Sequence, residues 1–347
     1  MKLLKSVMLM AAVALGASAA YPCSRIVLRG DSTDVVQVGR TLDWRTPIPT
    51  NIYVYPAGMH KQSNASGNMY TWTSKYGTVL AAGYDGGVTE GMNDQGLVIN
   101  GLFCKTSQYP TVAEDPSRPV MSLAVFVSWM LDQCATTQEV AELMRTHDFS
   151  IGGATFDGGT VSMLHWGVTD VTGNTLVIEY AGGKLNMYES PEYQVLTNDP
   201  TFPQMQAIND YWKGIGGQNF LPGGVRSSDR FVRADYFVHH VPVKGITSDQ
   251  GVTELMTIIN NVAVPYGYEV PGSPNLSSTQ WRSLSDLNRH RYYFQFADQQ
   301  SSFYIDLNTL LLTPGSPVLK LDTTKRADFT GCMNSHLKVS APFTPMW

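Results

Sequence analysis

Cys23 is the residue around which this sequence could organise chemistry. It stands a few residues past an apolar leader and opens the strand-like run Cys23-Ser24-Arg25-Ile26-Val27-Leu28. With everything before it removed, one residue would carry both a nucleophilic thiol and a free α-amine. A chain-terminal thiol can use its own amine as the base, so no histidine partner is required. Amide hydrolysis by such a residue also needs donors for the developing oxyanion and a group that orients the amine. Three further places can supply them. Arg40 and Asp43 lie in Gly39-Arg40-Thr41-Leu42-Asp43-Trp44, at the end of the next strand-like run. An aspartate there can accept hydrogen bonds from the Cys23 amine, while the arginine favours a thiolate and keeps Asp43 ionised. Asn198, in Leu196-Thr197-Asn198-Asp199-Pro200, is a neutral amide at a strand end and suits an oxyanion hole. Arg230, beside Phe231 and Val232, reads as a partly buried guanidinium aimed at a carboxylate. Each has a plainer alternative: a surface ion pair for Arg40 and Asp43, a turn residue ahead of Pro200 for Asn198, and a structural pair with Asp229 or Asp235 for Arg230.

Other constellations fail. The sequence has no GxSxG elbow, no HExxH and no Walker loop. Its 7 histidines, among them His165 and the His239-His240 pair, form no ligand-spaced set, so no metal or cofactor is expected. A papain-like order of Cys23, His165 and Asn198 exists, but Cys23 lacks the surrounding helix, and His165 sits in a strand pattern where a satisfied core residue is the simpler reading. The 4 cysteines, Cys23, Cys104, Cys134 and Cys332, are too widely spaced for a disulfide framework or a CxxC site. Cys104 and Cys134 read as buried apolar filler.

The leader has the layout of a secretory signal: Lys2 and Lys5, an apolar stretch Val7–Leu15, then the small-x-small pattern Ala17-Ser18-Ala19. The apolar stretch is too short to span a bilayer comfortably, so the expectation is an exported chain without a membrane anchor, periplasmic or secreted. Cleavage after Ala19 leaves Ala20-Tyr21-Pro22 ahead of Cys23, and signal peptidase disfavours a cut after Pro22. A second cut, made by the protein on itself, is therefore expected. Tyr21 and Pro22 are too large for a lipoprotein signal. Residues 1–22 are read as leader and pro-segment and 23–347 as one domain. A net charge of −5 with no basic stripe argues against nucleic acid as a partner. Asn64 and Asn275 stand in N-x-S sequons that carry no expected role.

The positioning elements follow from periodicity. Strands are predicted over Cys23–Arg29, Val35–Leu42, Asn51–Tyr55, Thr71–Trp72, Thr78–Ala82 and Gly96–Leu102, forming one antiparallel meander up to Leu102. Val120–Leu131 reads as a buried helix. Thr136 with Glu139 signals the start of a second helix, Thr137–Arg145. Strands return at Val161–Val168, Thr175–Tyr180 and Leu185–Tyr188. Residues 199–260 mix loops and helices, with an amphipathic helix over Thr253–Asn261. Pro265–Ser278 is a loop excursion, and late strands fall at Tyr292–Phe296, Phe303–Ile305 and Val318–Leu321. The fold class is α+β: two antiparallel sheets with helical layers outside.

Five blocks, in order, resemble the choloylglycine hydrolase family of conjugated bile-salt hydrolases and penicillin V acylases. They are Cys23-Ser24-Arg25, Gly39 to Trp44, Glu90-Gly91-Met92-Asn93-Asp94-Gln95-Gly96-Leu97, Leu196 to Pro200, and Leu221-Pro222-Gly223-Gly224 through Arg230-Phe231-Val232-Arg233. The resemblance implies a four-layer αββα sandwich of the N-terminal-nucleophile class, with Cys23 exposed by processing. By matched position it implies Arg40, Asp43, Asn198 and Arg230 as supporting residues, Asp43 on the amine, Asn198 on the oxyanion, and the arginines setting the field at the thiol. It further implies a dimer or tetramer, a small-molecule amide as substrate, and no metal or cofactor. One departure is Phe103 after Gly101-Leu102, where many members carry asparagine or tyrosine. A backbone N–H would then serve the oxyanion, with Asn100 as a substitute donor. Trp44 and the leader resemble the Gram-negative branch, in which penicillin V, N-acyl homoserine lactones and bile salts are substrates. The aromatic residues Trp44, Tyr53 and Phe103 suit a steroid, a phenoxy ring or an acyl chain alike. Two rival readings stay open: a lipid-amide hydrolase resembling acid ceramidase, and an exported binding protein that keeps its pro-segment.

Overall fold

The computed structural model describes residues 22–32, 34–63, 67–110, 117–156, 159–269 and 277–346. The leader before Pro22 and the sequons at Asn64 and Asn275 lie outside the described residues. Two antiparallel sheets dominate. The first is built from β1 (Cys23–Arg29), β2 (Val36–Trp44), β10 (Val195–Leu196), β11 (Ser278–Asp286), β12 (Arg291–Phe296), β13 (Phe303–Asp306) and β15 (Gly331–Cys332). Its order is β10-β1-β2-β11-β12-β13-β15, antiparallel except for the last pair. The second sheet holds β3 (Thr50–Tyr55), β4 (Thr78–Gly83), β5 (Gly87–Asn93), β6 (Val98–Phe103), β7 (Leu164–Thr169), β8 (Thr175–Ala181), β9 (Lys184–Glu189), β14 (Leu319–Leu321) and β16 (Lys338–Val339). Its order is β9-β8-β7-β6-β5-β4-β3-β14-β16.

Among the described residues five α-helices cover the outer faces: α1 (Phe126–Gln133), α2 (Thr137–Thr146), α3 (Phe202–Ile215), α4 (Ser227–Val238) and α5 (Ser248–Val262). Three apolar cores show the layering. Val27, Val38, Ile52, Val79, Val98 and Phe294 fill the space between the sheets. Leu80, Ile99, Phe126, Trp129 and Ile178 join the second sheet to α1 and α2. Ile26, Leu28, Phe231, Leu255 and Ile259 join the first sheet to α3, α4 and α5. The chain is thus an αββα sandwich, as expected. The central strands are buried on both faces, β2 along its whole length, so the polar residues they carry must find partners inside the sandwich. Among the described residues no helix is long and apolar enough to cross a membrane.

Several local expectations are corrected. The strands up to Leu102 are not one meander: β1 and β2 lie in the first sheet, and the chain crosses to the second at residues 45–49. The Val120–Leu131 run is not one helix. Val120–Ser122 pairs with Ser150–Gly152, and the Ser122 hydroxyl accepts from Ala124 N, so α1 begins only at Phe126. α5 starts at Ser248, where Thr247 and Gln250 form a reciprocal cap, not at Thr253. Residues 270–276 of the expected loop excursion lie outside the described residues, and β11, which begins at Ser278, was not foreseen. Its sequence, STQWRSLSD, is too polar to read as a central strand, yet it pairs with β2 and β12.

Candidate active site

Cys23 is the first residue of β1 and is 4% exposed, with Leu42 of β2 opposite it. β2 carries both Arg40 and Asp43. Arg40 points its guanidinium at the thiol, Nη2 to Sγ 3.4 Å, and donates through Nη1 to Glu90 Oε2 at 3.0 Å. It also lies over the Trp281 ring, 5.2 Å from its centroid. Burial works against its charge, but Glu90 and Cys23 outweigh that and leave its pKa raised. The ion pair is 1% and 0% exposed, so the surface-pair reading of Arg40 and Asp43 is wrong: Arg40 pairs with a buried glutamate on the facing sheet.

Asn198 and Arg230 close on Cys23 from the other side. Asn198 follows β10, the neighbour of β1, and its Oδ1 accepts from Cys23 N at 2.7 Å and from Arg230 Nη2 at 2.6 Å. Its Nδ2 donates to the Phe103 carbonyl at 2.7 Å. Arg230 reaches in from α4. Its Nη1 donates to the Cys23 carbonyl (2.5 Å) and Ser24 Oγ (2.6 Å), and its Nε to the Val225 carbonyl (3.0 Å). It bonds neither Asp229 nor Asp235, and Asp235 instead faces Lys213 and His239. Burial lowers the Arg230 pKa, with Asp43 and Cys23 opposing.

Asp43 is fully buried. The Thr41 hydroxyl donates to its Oδ2 at 3.1 Å, while its Oδ1 has no hydrogen-bond partner. Burial lifts its pKa to about 6 in spite of Arg230, Thr279, Thr41 and Arg40. Desolvation outweighs the two arginines, and a carboxyl titrating there is still mostly ionised at neutral pH.

Arg40, Asn198 and Arg230, brought in from β2, the turn after β10 and α4, thus all bond Cys23, and Asp43 lines the same pocket as its thiol. A model of linear amide C–N hydrolases, choloylglycine hydrolase family, matches residues 23–326. The chain belongs to the choloylglycine hydrolase family. It is 34% identical to a penicillin V acylase of Pectobacterium atrosepticum, over 96% of this chain and 94% of the relative. It is 26% identical to a bile salt hydrolase/transferase of Clostridium perfringens, over 78% and 88%. The structure of penicillin V acylase from Agrobacterium tumefaciens superposes with a TM-score of 0.85 at 37% identity, covering 93% of this chain and 99% of that one. A conjugated bile acid hydrolase from Clostridium perfringens, at 22% identity and a TM-score of 0.70, shares the fold. As a choloylglycine hydrolase family member the chain is an enzyme that hydrolyses linear amide C–N bonds, and family members act on small-molecule amides.

Against that family frame, two expectations shift. Asn100 is not an oxyanion donor here. It does not line the pocket at Cys23, because its Nδ2 is held by Glu90 Oε2 (3.1 Å) and its Oδ1 by Arg25 Nε (2.8 Å). Asn198, expected on the oxyanion, spends its Oδ1 on the Cys23 backbone N–H, the place expected of Asp43. Pro22 precedes Cys23 and is buried, so the Cys23 nitrogen in this structure is a peptide amide.

Glu90 and Tyr292 were not singled out from sequence. Glu90 accepts from Arg40, Asn100 and the Tyr292 hydroxyl (2.5 Å), and so anchors the arginine that faces the thiol. The signal was charge bookkeeping: buried arginines Arg25, Arg40 and Arg230 require buried acids. His165 is a satisfied core residue, bonded to Glu179 Oε1 (3.0 Å) and the Thr197 carbonyl (2.7 Å), which removes the papain-like reading. Its Cys104 neighbour is buried, and all four cysteines are free.

The pocket that opens onto Cys23 measures about 720 Å³, counting the part open to solvent. Trp44, Phe103 and Phe156 form an aromatic wall, with Trp44 5.7 Å from Phe103 and 5.0 Å from Phe156 between ring centroids. Ile48, Val88, Leu123, Leu164 and Met346 complete an apolar lining. Its charged members are Arg40, which faces the thiol, and Asp43.

Proposed function

We propose that this chain is a penicillin V acylase-type amidase whose nucleophile is Cys23, made the first residue by removal of everything through Pro22. The observation that carries this is a thiol faced by Arg40 in a pocket whose lining is otherwise uncharged, Asp43 apart, and largely aromatic and aliphatic. Such a pocket takes an apolar acyl group and leaves the polar amine half toward solvent. The aromatic wall favours an aryloxyacetyl group, as in penicillin V; acyl homoserine lactones and conjugated bile salts are the next substrates to assay.

The proposed chemistry balances as follows. The Cys23 α-amine takes the thiol proton, and the thiolate attacks the amide carbon. Asn198 Nδ2, exchanging its Phe103 carbonyl, and backbone N–H groups hold the oxyanion. The protonated amine gives its proton to the leaving nitrogen as the C–N bond breaks. Water then cleaves the thioester, releasing the acid and restoring the thiol. The orphaned Oδ1 of Asp43 is a ready acceptor for the new α-ammonium, whose charge would also return that carboxyl toward its ordinary pKa.

Intact mass and the N-terminal residue of the exported protein test the reading, with turnover of penicillin V by the native and Cys23→Ala chains. A chain beginning at Cys23, with turnover lost in the variant, is the expected result. Full turnover by Cys23→Ala defeats the proposal, and a stable chain retaining Pro22 without turnover favours a binding protein. Ceramide cleavage beyond that of penicillin V favours the lipid-amide reading. We also propose export, from the leader's pattern, and self-association through the exposed Tyr211, Ile215 and Phe220 surface around the end of α3. Cell fractionation and light scattering check each in turn.

A further inference from the structure

We propose that Met346 is a specificity-determining residue, the wall that sets how long an acyl group the Cys23 pocket accepts. The inference rests on reading this pocket as the acyl site. Residues 341–346 strap back across the second sheet, and Met346 lines the pocket together with Gly87, Val88, Leu123 and Ala124. The strap is fastened on both sides. Met346 N donates to the Gly86 carbonyl at 2.7 Å, and Ser122 Oγ donates to the Met346 carbonyl at 3.2 Å. Further back, Phe343 N donates to the Tyr55 hydroxyl at 3.1 Å, and its ring meets Tyr53 and Tyr55 edge-on at 5.4 and 5.9 Å.

The seat of the side chain is the sharper observation. Gly86 and Gly87 do not take a positive φ, so the backbone does not call for glycine at either position. A Cβ at Gly86 would meet Met346 Cγ at 2.4 Å, and one at Gly87 would meet Cε at 3.0 Å. The two glycines are the space in which the methionine lies. That fixes the wall relative to the nucleophile. Glu90, which holds the arginine at the thiol, is on the same strand as Gly87, three residues on, roughly 10 Å along β5. The pocket therefore runs along β5 from the thiol toward Met346, and the length of an acyl group is read against that side chain. Leu123 and Ala124 sit at the start of a short helical turn capped by Ser122, the residue that clips Met346, so wall and strap share one anchor.

The test measures binding and turnover separately. Dissociation constants of straight-chain carboxylates of increasing length, and of phenoxyacetate, are measured by calorimetry on the native protein, on Met346→Ala and on Met346→Leu. Turnover of the matching N-acyl amides is followed in parallel. In the native protein affinity is expected to rise with chain length and then stop rising. Met346→Ala moves that limit to longer chains and shifts the long-to-short affinity ratio at least about tenfold, the cost scale of methylenes in an apolar pocket. Met346→Leu, similar in volume, leaves the limit in place and shows that the strap tolerates change. An identical length profile in native and Met346→Ala protein overturns the proposal even with turnover intact. A shifted binding profile without turnover on any amide supports the wall and instead defeats the catalytic reading.

Discussion

Asp43 should make the unprocessed chain less stable as the medium turns from acid to neutral. Its carboxyl is buried, with Oδ1 unpartnered and a pKa lifted from 3.8 to about 6 by desolvation. Between those two values the folded chain holds a proton that the unfolded chain has released. Stability therefore falls as pH rises through the window and levels off above about 6. At about 1.4 kcal/mol for each tenfold change in proton affinity, the whole effect is about 3 kcal/mol. Roughly half of it falls between about pH 5 and pH 7.5 by the same relation. Asp43→Asn removes the charge while keeping an oxygen for the Thr41 hydroxyl. In urea unfolding of the chain that retains Pro22, Asp43→Asn should be the more stable protein at pH 7.5. Its advantage should shrink by about 1–2 kcal/mol at pH 5. A variant destabilised at pH 7.5, or a difference that does not change with pH, refutes the reasoning. In the processed chain, where an α-ammonium is proposed beside Asp43, the same substitution should instead destabilise.

Three more outcomes are expected. Glu90→Gln leaves Arg40 buried without its counter-charge and should cost about 3–5 kcal/mol in unfolding free energy; loss below about 1 kcal/mol would mean the pair does not anchor Arg40. Lys61→Met strands Asp132, fully buried and bonded to Lys61 Nζ at 2.9 Å, and should cost a similar amount, while the double change with Asp132→Asn recovers part of it. Gly39→Ala places a Cβ 2.1 Å from Ile259 Cδ1 where α5 packs on β2, and should cost about 1–3 kcal/mol. Ile259→Val removes that carbon, so a double-mutant cycle by thermal unfolding should show the two changes coupled.

What the sequence made legible were residues marked by their neighbours. Cys23, Arg40, Asp43 and Asn198 each stand at the start or end of a segment whose period could be read, while Arg230 was marked only by its apolar neighbours; the structure brings Arg40, Asn198 and Arg230 into contact with Cys23 and Asp43 into its pocket. Periodicity does not report pairing, however. The roles of Asn198 and Asn100 turned on which buried partner each amide meets, Cys23 N and Phe103 O for one, Glu90 and Arg25 for the other. Nothing in the local pattern of either residue carries that. β11 escaped notice because its serines are buried by lying between β2 and β12, a tertiary fact. The sheet crossing at residues 45–49 and the wall formed by Met346 are likewise contacts between distant segments. Glu90 was marked in the sequence only as the first residue of the block Glu90 to Leu97, and its pairing with Arg40 became visible with the fold.

The place of β2 between β1 and β11 imposes a timetable on the molecule. Arg40 faces Arg25 on one side and Ser283 on the other, and Asp43 faces Thr279. The strand that carries the thiol's partners has no second neighbour until residue 286 has been synthesised, and loop closure over so long a stretch is slow. A ribosome-bound or truncated chain lacking β11 holds Cys23 but no enclosed site. The proposed cut ahead of Cys23, if it draws on this site, is therefore a late event, and a free Cys23 amine would mark a finished chain.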